Sequence, residues 1–161
     1  MIFKRGEIDG VRVARLVKNI DERGFLIETF RLDMLPEKLH PQMSYVSYTE
    51  PGISRGPHEH TKQTDVFAFI GTSNFRVKLW DNRKNKKTYG NKITIFGGED
   101  NPILIVVPPG VVHAYQNISK TIRGMALNYP DRLYRGRGKK DEVDEIRHED
   151  KGDEFYEDFV K

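Results

Sequence analysis

Two histidines in the stretch SRGPHEHTKQTD, at positions 58 and 60, have a spacing that suggests chemistry. Side chains at positions i and i+2 of a β-strand point to the same face, so His58 and His60 can enter one cavity. A third imidazole, His113, follows the Pro-Gly turn of PPGVVHAY and would lie across that cavity. These three imidazoles and Asp65 could hold a divalent metal ion, whereas one neutral imidazole could act as a general base. The spacing alone leaves both chemistries open.

The elements that must position these residues have the pattern of short strands. Runs rich in Val, Ile, Phe, Tyr and Thr lie between Gly- and Pro-containing turn signals that recur every eight to twelve residues. Phe75, Val77 and Leu79 alternate with polar neighbours, which is the period of two typical of a strand. This pattern predicts an all-β barrel or two-sheet sandwich. Helical signals are few: RLDMLPEKL predicts one or two turns, and the charged tail predicts a short amphipathic helix or a mobile extension.

Composition narrows the class of protein. A length of 161 residues suits one domain, and the absence of cysteine excludes disulfides, thiolate zinc sites and thiol nucleophiles. The net charge of +3 is small and its basic residues are interleaved with acids, so we expect no binding to nucleic acid. The longest apolar run, 103–107, is too short to cross a bilayer, and the first ten residues contain no apolar signal region. These features predict a cytoplasmic protein that does not bind membranes.

Longer motifs resemble a known family. HEH with Asp65 and Gly71, and PPGVVHAYQN, resemble the two signatures of the cupin superfamily. DERGFLIETFR, SRGPH, LWDNRKNKKTYG and VPPGVVHAY are similar, in order and approximate spacing, to motifs of the dTDP-4-dehydrorhamnose 3,5-epimerase family. The chain is therefore identified as a divergent member of that family. We predict one cupin-like epimerase domain over 1–161, with a core at about 21–134 and a C-terminal extension at 135–161.

The resemblance implies a fold and an activity. The expected fold is an all-β, cupin-type antiparallel β-barrel or jelly roll with short helices and a charged C-terminal extension. The expected reaction is proton abstraction beside the C4 ketone of a dTDP-4-keto-6-deoxyhexose, at C3, C5 or both, in deoxysugar or surface polysaccharide biosynthesis. The resemblance further implies that no cofactor is needed. It also implies a homodimer in which N-terminal strands help complete the site of the partner.

The resemblance assigns roles to individual residues. His58 matches the catalytic base, and His113 matches a second histidine that could donate a hydrogen bond to the sugar. Arg23 matches a diphosphate contact, although it could instead pair with Asp21 at its own turn. The full set of expected substrate-binding residues is Arg23, Phe25, Glu28, Gln42, Arg55, Asn128 and Tyr134.

The sequence departs from the family pattern at three catalytic supports. Thr64 stands where the family has a lysine. Asn128 stands near the position of the family's tyrosine acid, and Tyr129, the candidate acid, is one place along and could face outward. The carboxylate that orients the base has no clear match, so Asp144 is the first candidate and Glu145 the second.

These departures keep other functions open. One is a metal-dependent cupin isomerase or oxygenase that binds a divalent metal ion through His58, His60, Asp65 and His113. Another is a nucleotide-sugar 3,4-ketoisomerase. The third is a non-catalytic protein that binds a sugar nucleotide.

Overall fold

The computed structural model describes residues 3–160, and most of its regular structure is β-strand. The strands are β1 (Lys4–Arg5), β2 (Arg12–Arg15), β3 (Asn19–Asp21), β4 (Gly24–Leu26), β5 (Tyr45–Thr49), β6 (Ser54–Glu59), β7 (Asp65–Gly71), β8 (Asn74–Asp81), β9 (Asn91–Gly98), β10 (Ile103–Val107), β11 (Val111–Asn117), β12 (Gly124–Asn128) and β13 (Ile146–Arg147). The helical elements are short. They are the 3-10 helices Leu32–Met34, Glu37–Leu39 and Arg137–Lys139 and the α-helix α1 (Glu154–Val160).

Two large sheets and one hairpin organise the strands. The six-stranded sheet has the order β1-β9-β8-β11-β6-β13, and the five-stranded sheet has the order β2-β10-β7-β12-β5. β3 and β4 pair only with each other and form the N-terminal hairpin. The predicted all-β, cupin-like jelly roll with short helices is confirmed. The sheets are not closed into a barrel, so the fold is the two-sheet sandwich that the sequence also predicted. The expectation of fully antiparallel sheets is wrong in one place, because β1 pairs with β9 in parallel.

The main core lies between the two sheets. Alternate residues of β7, β8 and β10 point into it and are almost completely buried. These residues are Phe67, Phe69, Phe75, Val77, Leu79, Ile103, Ile105 and Val107. The period-two alternation that predicted strand at 75–79 therefore identifies the face of β8 that packs against the opposite sheet.

The outer faces of both sheets are also covered, which explains the continuous apolar runs of β7 and β10. On the five-stranded sheet, the segment 16–39 covers the outward-facing residues Val66, Ala68, Leu104 and Val106. On the other side, Trp80 of β8 contacts Phe155 and Phe159 of α1. Strands buried on both faces need apolar residues at successive positions, as the sequence ILIVV of β10 has.

The C-terminal extension takes part in the fold. β13 pairs with β6, and α1 packs against the six-stranded sheet, where the Trp80 indole donates to Asp158 Oδ2 at 3.0 Å. β1 and β2, which precede residue 21, also join the sheets. The core at about 21–134 was predicted from the motifs and remains a prediction. Strands outside these residues also belong to both sheets. Within residues 3–160, no helix has the length and apolar character needed to span a membrane.

Candidate active site

A cavity of about 1430 Å³ is lined by residues of both large sheets. Its walls include Tyr45 and Ser47 of β5, His58 of β6 and Tyr115 of β11. The segment 130–149 contributes much of the remaining lining. A volume of this size exceeds the roughly 300–1,000 Å³ of an ordinary small-ligand site, so there is room for an extended ligand.

Strand alternation places His58 and His60 toward the cavity, as the sequence predicts. Glu59 between them points the other way, where its Oε1 accepts from Asn82 Nδ2 at 2.8 Å. Gly56 brings β6 close to β11: it has a φ of +78°, and a Cβ there would lie 2.5 Å from the His113 carbonyl oxygen. The glycine of the SRGPH motif is thus required by backbone conformation and by close approach.

A carboxylate from the C-terminal extension approaches His58 but lies beyond hydrogen-bond distance of its Nδ1. Glu145 Oε1 lies 3.8 Å from His58 Nδ1, and both side chains are largely buried. Burial, followed by the nearby His113 and His60 rings, holds the pKa of His58 well below its usual value. His58 is therefore neutral at neutral pH, and a neutral imidazole with a carboxylate at one nitrogen has the form of a general base.

His113 lies behind His58 and does not line the cavity. Its Cα pairs with that of His58 across β11 and β6, and the two ring centroids are 4.4 Å apart. The residue is only 2% exposed, and burial lowers its pKa. This placement corrects the expectation that His113 contacts the sugar: the neutral ring packs against the candidate base and supports its position.

His60 forms a buried ion pair. Its Nδ1 donates to the backbone oxygen of Asp144, and its Nε2 lies 3.2 Å from Asp65 Oδ2. Burial alone would lower the pKa of His60, but the Asp65 carboxylate raises it to about 9. Burial would likewise raise the pKa of Asp65, but hydrogen bonding to His60 lowers it to about 2. His60 is therefore a cation beside the neutral His58.

The three histidines also form a possible metal-binding group. One nitrogen of each of His58, His60 and His113 lies within 4.8 Å of the others, which is close enough for a shared ion. Metal ligation requires unprotonated nitrogens, so His60 would have to give up its proton and its contact with Asp65. The donor set fits a divalent ion only after that rearrangement.

Several expected substrate-binding residues lie at the cavity. Gln42, Arg55 and Tyr134 line it. A hydrogen bond fixes the Arg55 guanidinium, because its Nη2 donates to the Tyr48 carbonyl oxygen at 2.7 Å. Asn128 lies just behind the wall and is 1% exposed.

The expected residues of the N-terminal hairpin are not at the cavity of this chain. Phe25 is 54% exposed, and Arg23 pairs with Asp21, with Nε 3.2 Å from Oδ2. Glu28 is also exposed and lies 3.4 Å from Arg31 Nη1. This chain alone therefore does not bring Arg23, Phe25 and Glu28 to its own cavity.

Tyr129, the candidate acid, follows β12 directly and faces away from the cavity. Its phenol lies 2.6 Å from Thr29 Oγ1, and its ring stacks on Phe30 with centroids 5.5 Å apart. Strand alternation turns Asn128 inward and Tyr129 toward the outer cluster, so the structure does not support Tyr129 as the acid.

Asp144, the first candidate for orienting the base, has a different role. Its carboxylate accepts from the backbone N–H groups of Thr61, Lys62 and Gln63, at 3.0, 2.9 and 2.9 Å. It holds the loop after β6, while its neighbour Glu145 approaches His58. The second sequence candidate is the one that the geometry supports.

Tyr45 is a cavity residue that sequence reasoning missed. It lines the cavity from β5, and its phenol accepts a hydrogen bond from Asn128 Nδ2 at 2.9 Å. The sequence QMSYVSYTE contains the signal that could have found it, because Tyr45, Ser47 and Thr49 alternate along one strand and so share a face.

Comparison with known proteins identifies the family. The family model described as dTDP-4-dehydrorhamnose 3,5-epimerase matches residues 5–136. The chain belongs to this family. The matched region ends before Glu145, which explains why the motifs could not assign the carboxylate beside His58.

Two relatives agree with this membership, and a solved structure has the same fold. The spore coat polysaccharide biosynthesis protein SpsL of Bacillus subtilis is 39% identical over 116 residues, covering 71% of this chain and 74% of that protein. The probable low-salt glycan biosynthesis epimerase Agl13 of Haloferax volcanii is 35% identical over 128 residues, covering 79% and 81%. The crystal structure of a dTDP-6-deoxy-D-glucose-3,5-epimerase from Legionella pneumophila, in complex with dTDP-4-keto-L-rhamnose, has a TM-score of 0.74 and 18% identity, covering 89% and 74%.

Family membership settles the enzyme class. Members of the dTDP-4-dehydrorhamnose 3,5-epimerase family are epimerases, so this protein is an isomerase-class enzyme with 3,5-epimerase-like activity on dTDP-sugars. Of the two relatives above, SpsL is named for spore coat polysaccharide biosynthesis and Agl13 for glycan biosynthesis.

Proposed function

We propose that the protein inverts C3, C5 or both of a dTDP-linked 4-keto-6-deoxyhexose during synthesis of a surface polysaccharide. The observation that carries this proposal is the neutral His58 in the cavity wall, with Glu145 at its Nδ1. Relatives named for coat polysaccharide and glycan biosynthesis support the pathway class. The sugar bound in the Legionella enzyme supports the substrate class.

The chemistry follows from the position of the ketone. Hydrogens at C3 and C5 are acidic because their removal leaves an enolate whose charge lies mainly on the C4 oxygen. His58 removes the proton, and Glu145 stabilises the imidazolium that forms. The His60 ring, 5.9 Å from that of His58 and positively charged, supplies electrostatic stabilisation for the developing oxyanion. No cofactor is required by these steps.

The direct test follows exchange of hydrogen for deuterium. The protein is incubated with dTDP-4-keto-6-deoxyglucose in deuterated water, and NMR measures deuterium at C3 and C5. We expect uptake by the wild type and a loss of about 10²–10⁴-fold in His58→Asn. His40→Asn is the matched control, because His40 contacts the carbonyls of Leu32 and Leu35 and does not line the cavity. No uptake by the folded wild type would reject this substrate and reaction.

The NMR product also separates related reactions. Inversion at both carbons indicates a 3,5-epimerase, and inversion at one indicates a single-centre epimerase. Migration of the ketone to C3 would indicate a 3,4-ketoisomerase. Binding of dTDP measured by calorimetry, without any exchange or product, would indicate a non-catalytic sugar-nucleotide binding protein.

A second candidate is a metal-dependent isomerase or oxygenase, which the spacing of the three histidine nitrogens favours. In that case His58, His60 and His113, with Asp65 nearby, would hold a divalent ion. Elemental analysis of protein purified without chelators tests this alternative. One metal ion per chain that is lost in His60→Ala would support it, and metal-free protein with full epimerase activity would reject it.

We also propose a homodimer in which the N-terminal hairpin completes the partner's site. Ile20, Phe25 and Leu26 are 76%, 54% and 62% exposed, an apolar surface that a second copy could bury. Light scattering measures the mass in solution, and Arg23→Ala should raise KM with little effect on kcat. A monomer of full activity would reject this arrangement. A cytoplasmic location stays a prediction from the sequence.

A further inference from the structure

We infer that Tyr45 of β5 is the general acid that delivers a proton to the substrate carbon on the face opposite His58. This inference rests on the proposed epimerase function and names a residue for a step that the predicted Tyr129 cannot perform. Inversion needs an acid and a base on opposite sides of the reacting carbon, because return of the proton by the base restores the original configuration.

The two walls of the cavity supply the two groups. His58 lies on β6 of the six-stranded sheet, and Tyr45 lies on β5 of the five-stranded sheet. Both side chains line the same cavity. A planar enolate held between the sheets therefore has the imidazole on one side and the phenol on the other.

Asn128 orients the phenol. Tyr45 and Asn128 are directly paired across β5 and β12, and Asn128 Nδ2 donates to Tyr45 Oη at 2.9 Å. The same Nδ2 donates to Asp65 Oδ1 at 2.8 Å, while Asn128 Oδ1 accepts from the Val66 N–H at 3.1 Å. The amide is thus fixed as a donor toward Tyr45. The phenol oxygen accepts this bond and keeps its own proton for a ligand.

The protonation state suits an acid. Burial raises the pKa of Tyr45, an effect that the hydrogen bond from Asn128 only partly opposes. The phenol is therefore protonated at neutral pH. Its proton becomes more readily transferred as negative charge develops on the substrate beside it.

Other phenols at the cavity are less suitable. Tyr115 is 4% exposed and lies on β11 of the six-stranded sheet, the same wall as His58, so it cannot reach the opposite face of the enolate. Tyr134, in the segment after β12, is 51% exposed; Tyr45 is 43% exposed, but its place on β5 and its hydrogen bond from Asn128 fix its phenol at the wall opposite His58. Tyr156 belongs to α1, which packs on the six-stranded sheet, the same side of the molecule as His58.

Inversion moves two protons, one from the substrate carbon and one to it. His58 takes the C–H proton, and the electrons of that bond form the enolate. The enolate electrons then form a new C–H bond with the Tyr45 proton on the opposite face, and the ketone is restored. The electrons of the former O–H bond stay on the tyrosinate. Exchange of protons with water returns imidazolium and tyrosinate to their starting states.

The test separates exchange from inversion. Tyr45→Phe and wild type are incubated with dTDP-4-keto-6-deoxyglucose in deuterated water, and NMR measures both deuterium uptake and product configuration. We expect Tyr45→Phe to keep uptake within about tenfold of wild type while inversion falls about 10²–10³-fold. In this variant His58 removes the proton and returns a deuteron to the same face.

Tyr48→Phe is the matched control, because it lies on the same strand, is 51% exposed and does not line the cavity. Circular dichroism verifies that all variants are folded. Inversion by Tyr45→Phe at the wild-type rate would overturn the inference, and so would equal loss of exchange and inversion in the folded variant. Absence of both from the wild type would instead reject the proposed function, and the Tyr45 inference with it.

Discussion

Glu145 Oε1 lies 3.8 Å from His58 Nδ1, whereas the carboxylate of the adjacent Asp144 accepts hydrogen bonds from the backbone N–H groups of the loop at 61–63. Two neighbouring acids of the C-terminal extension therefore have separate tasks. One is placed to stabilise charge on the base, and the other holds the loop that follows β6.

We expect Glu145→Gln to lower kcat by about 10²-fold with little change in stability, because the amide cannot balance the charge of the imidazolium. Steady-state kinetics with a dTDP-4-keto sugar measure this loss. Asp144→Asn is the companion variant, and it should lower the melting temperature more than Glu145→Gln does. Wild-type kcat in Glu145→Gln would show that this carboxylate does not assist the base.

The His60–Asp65 pair should contribute strongly to stability. Asp65 is 1% exposed, and replacing it with Asn removes the carboxylate that keeps the buried His60 ring protonated. We expect Asp65→Asn to reduce the free energy of unfolding by about 3–5 kcal/mol, measured by denaturant titration. The double variant Asp65→Asn/His60→Gln should recover part of this loss because the ring left without its carboxylate partner is also gone. Additive losses would contradict a buried ion pair.

His148 should make stability depend on pH. Its Nε2 lies 3.1 Å from Glu59 Oε1 and its Nδ1 lies 2.6 Å from Asp153 Oδ2. Burial alone would lower the pKa of His148, but these two carboxylates raise it. A raised pKa means that the charged ring stabilises the fold fully below its unfolded value near 6.5, and that this contribution is lost as pH rises through the folded pKa.

The pH dependence can be measured with His148→Gln. We expect the free energy of unfolding of this variant to be roughly 2 kcal/mol lower than that of wild type at pH 6. The difference should be smaller at pH 9. Chemical denaturation at both values provides the comparison. A deficit that grows between pH 6 and pH 9 would reverse the sign and reject the charged pairing.

Docking of α1 should depend on Phe155. The Phe155 ring lies 6.2 Å from Trp80 and 4.6 Å from His148, and the residue is 4% exposed. We expect Phe155→Ala to cost about 3–5 kcal/mol of local or global stability. Hydrogen exchange of the α1 amides and the melting temperature measure this effect. Glu157→Ala, at an exposed position of the same helix, should leave both unchanged.

Some of the site could be predicted because it depends on local periodicity. His58 in β6 and His60 just after it both face the cavity, as the i, i+2 spacing predicts, and the glycine of the SRGPH motif lies where the backbone needs a positive φ. Several linked motifs also sufficed to recognise the family. These features depend on residues close together in the chain, so the sequence contains the information directly.

Other assignments depended on a difference of one residue. Asn128 faces the interior and Tyr129 the outer cluster because adjacent strand residues point to opposite faces. In the same way Glu145, and not Asp144, approaches His58. No local pattern distinguishes such neighbours, because the choice is made by the register in which distant segments pair.

By itself, the sequence determined that the chain forms a β-sandwich of this epimerase family, with imidazoles from β6 and β11 brought together. Only the tertiary structure decided that His60 is a charged partner of Asp65, that Glu145 joins His58, and that Tyr45 faces the cavity beside Asn128. Each of these contacts joins groups on different strands or segments. Their protonation and orientation follow from burial and from partners that come together only when the two sheets pack.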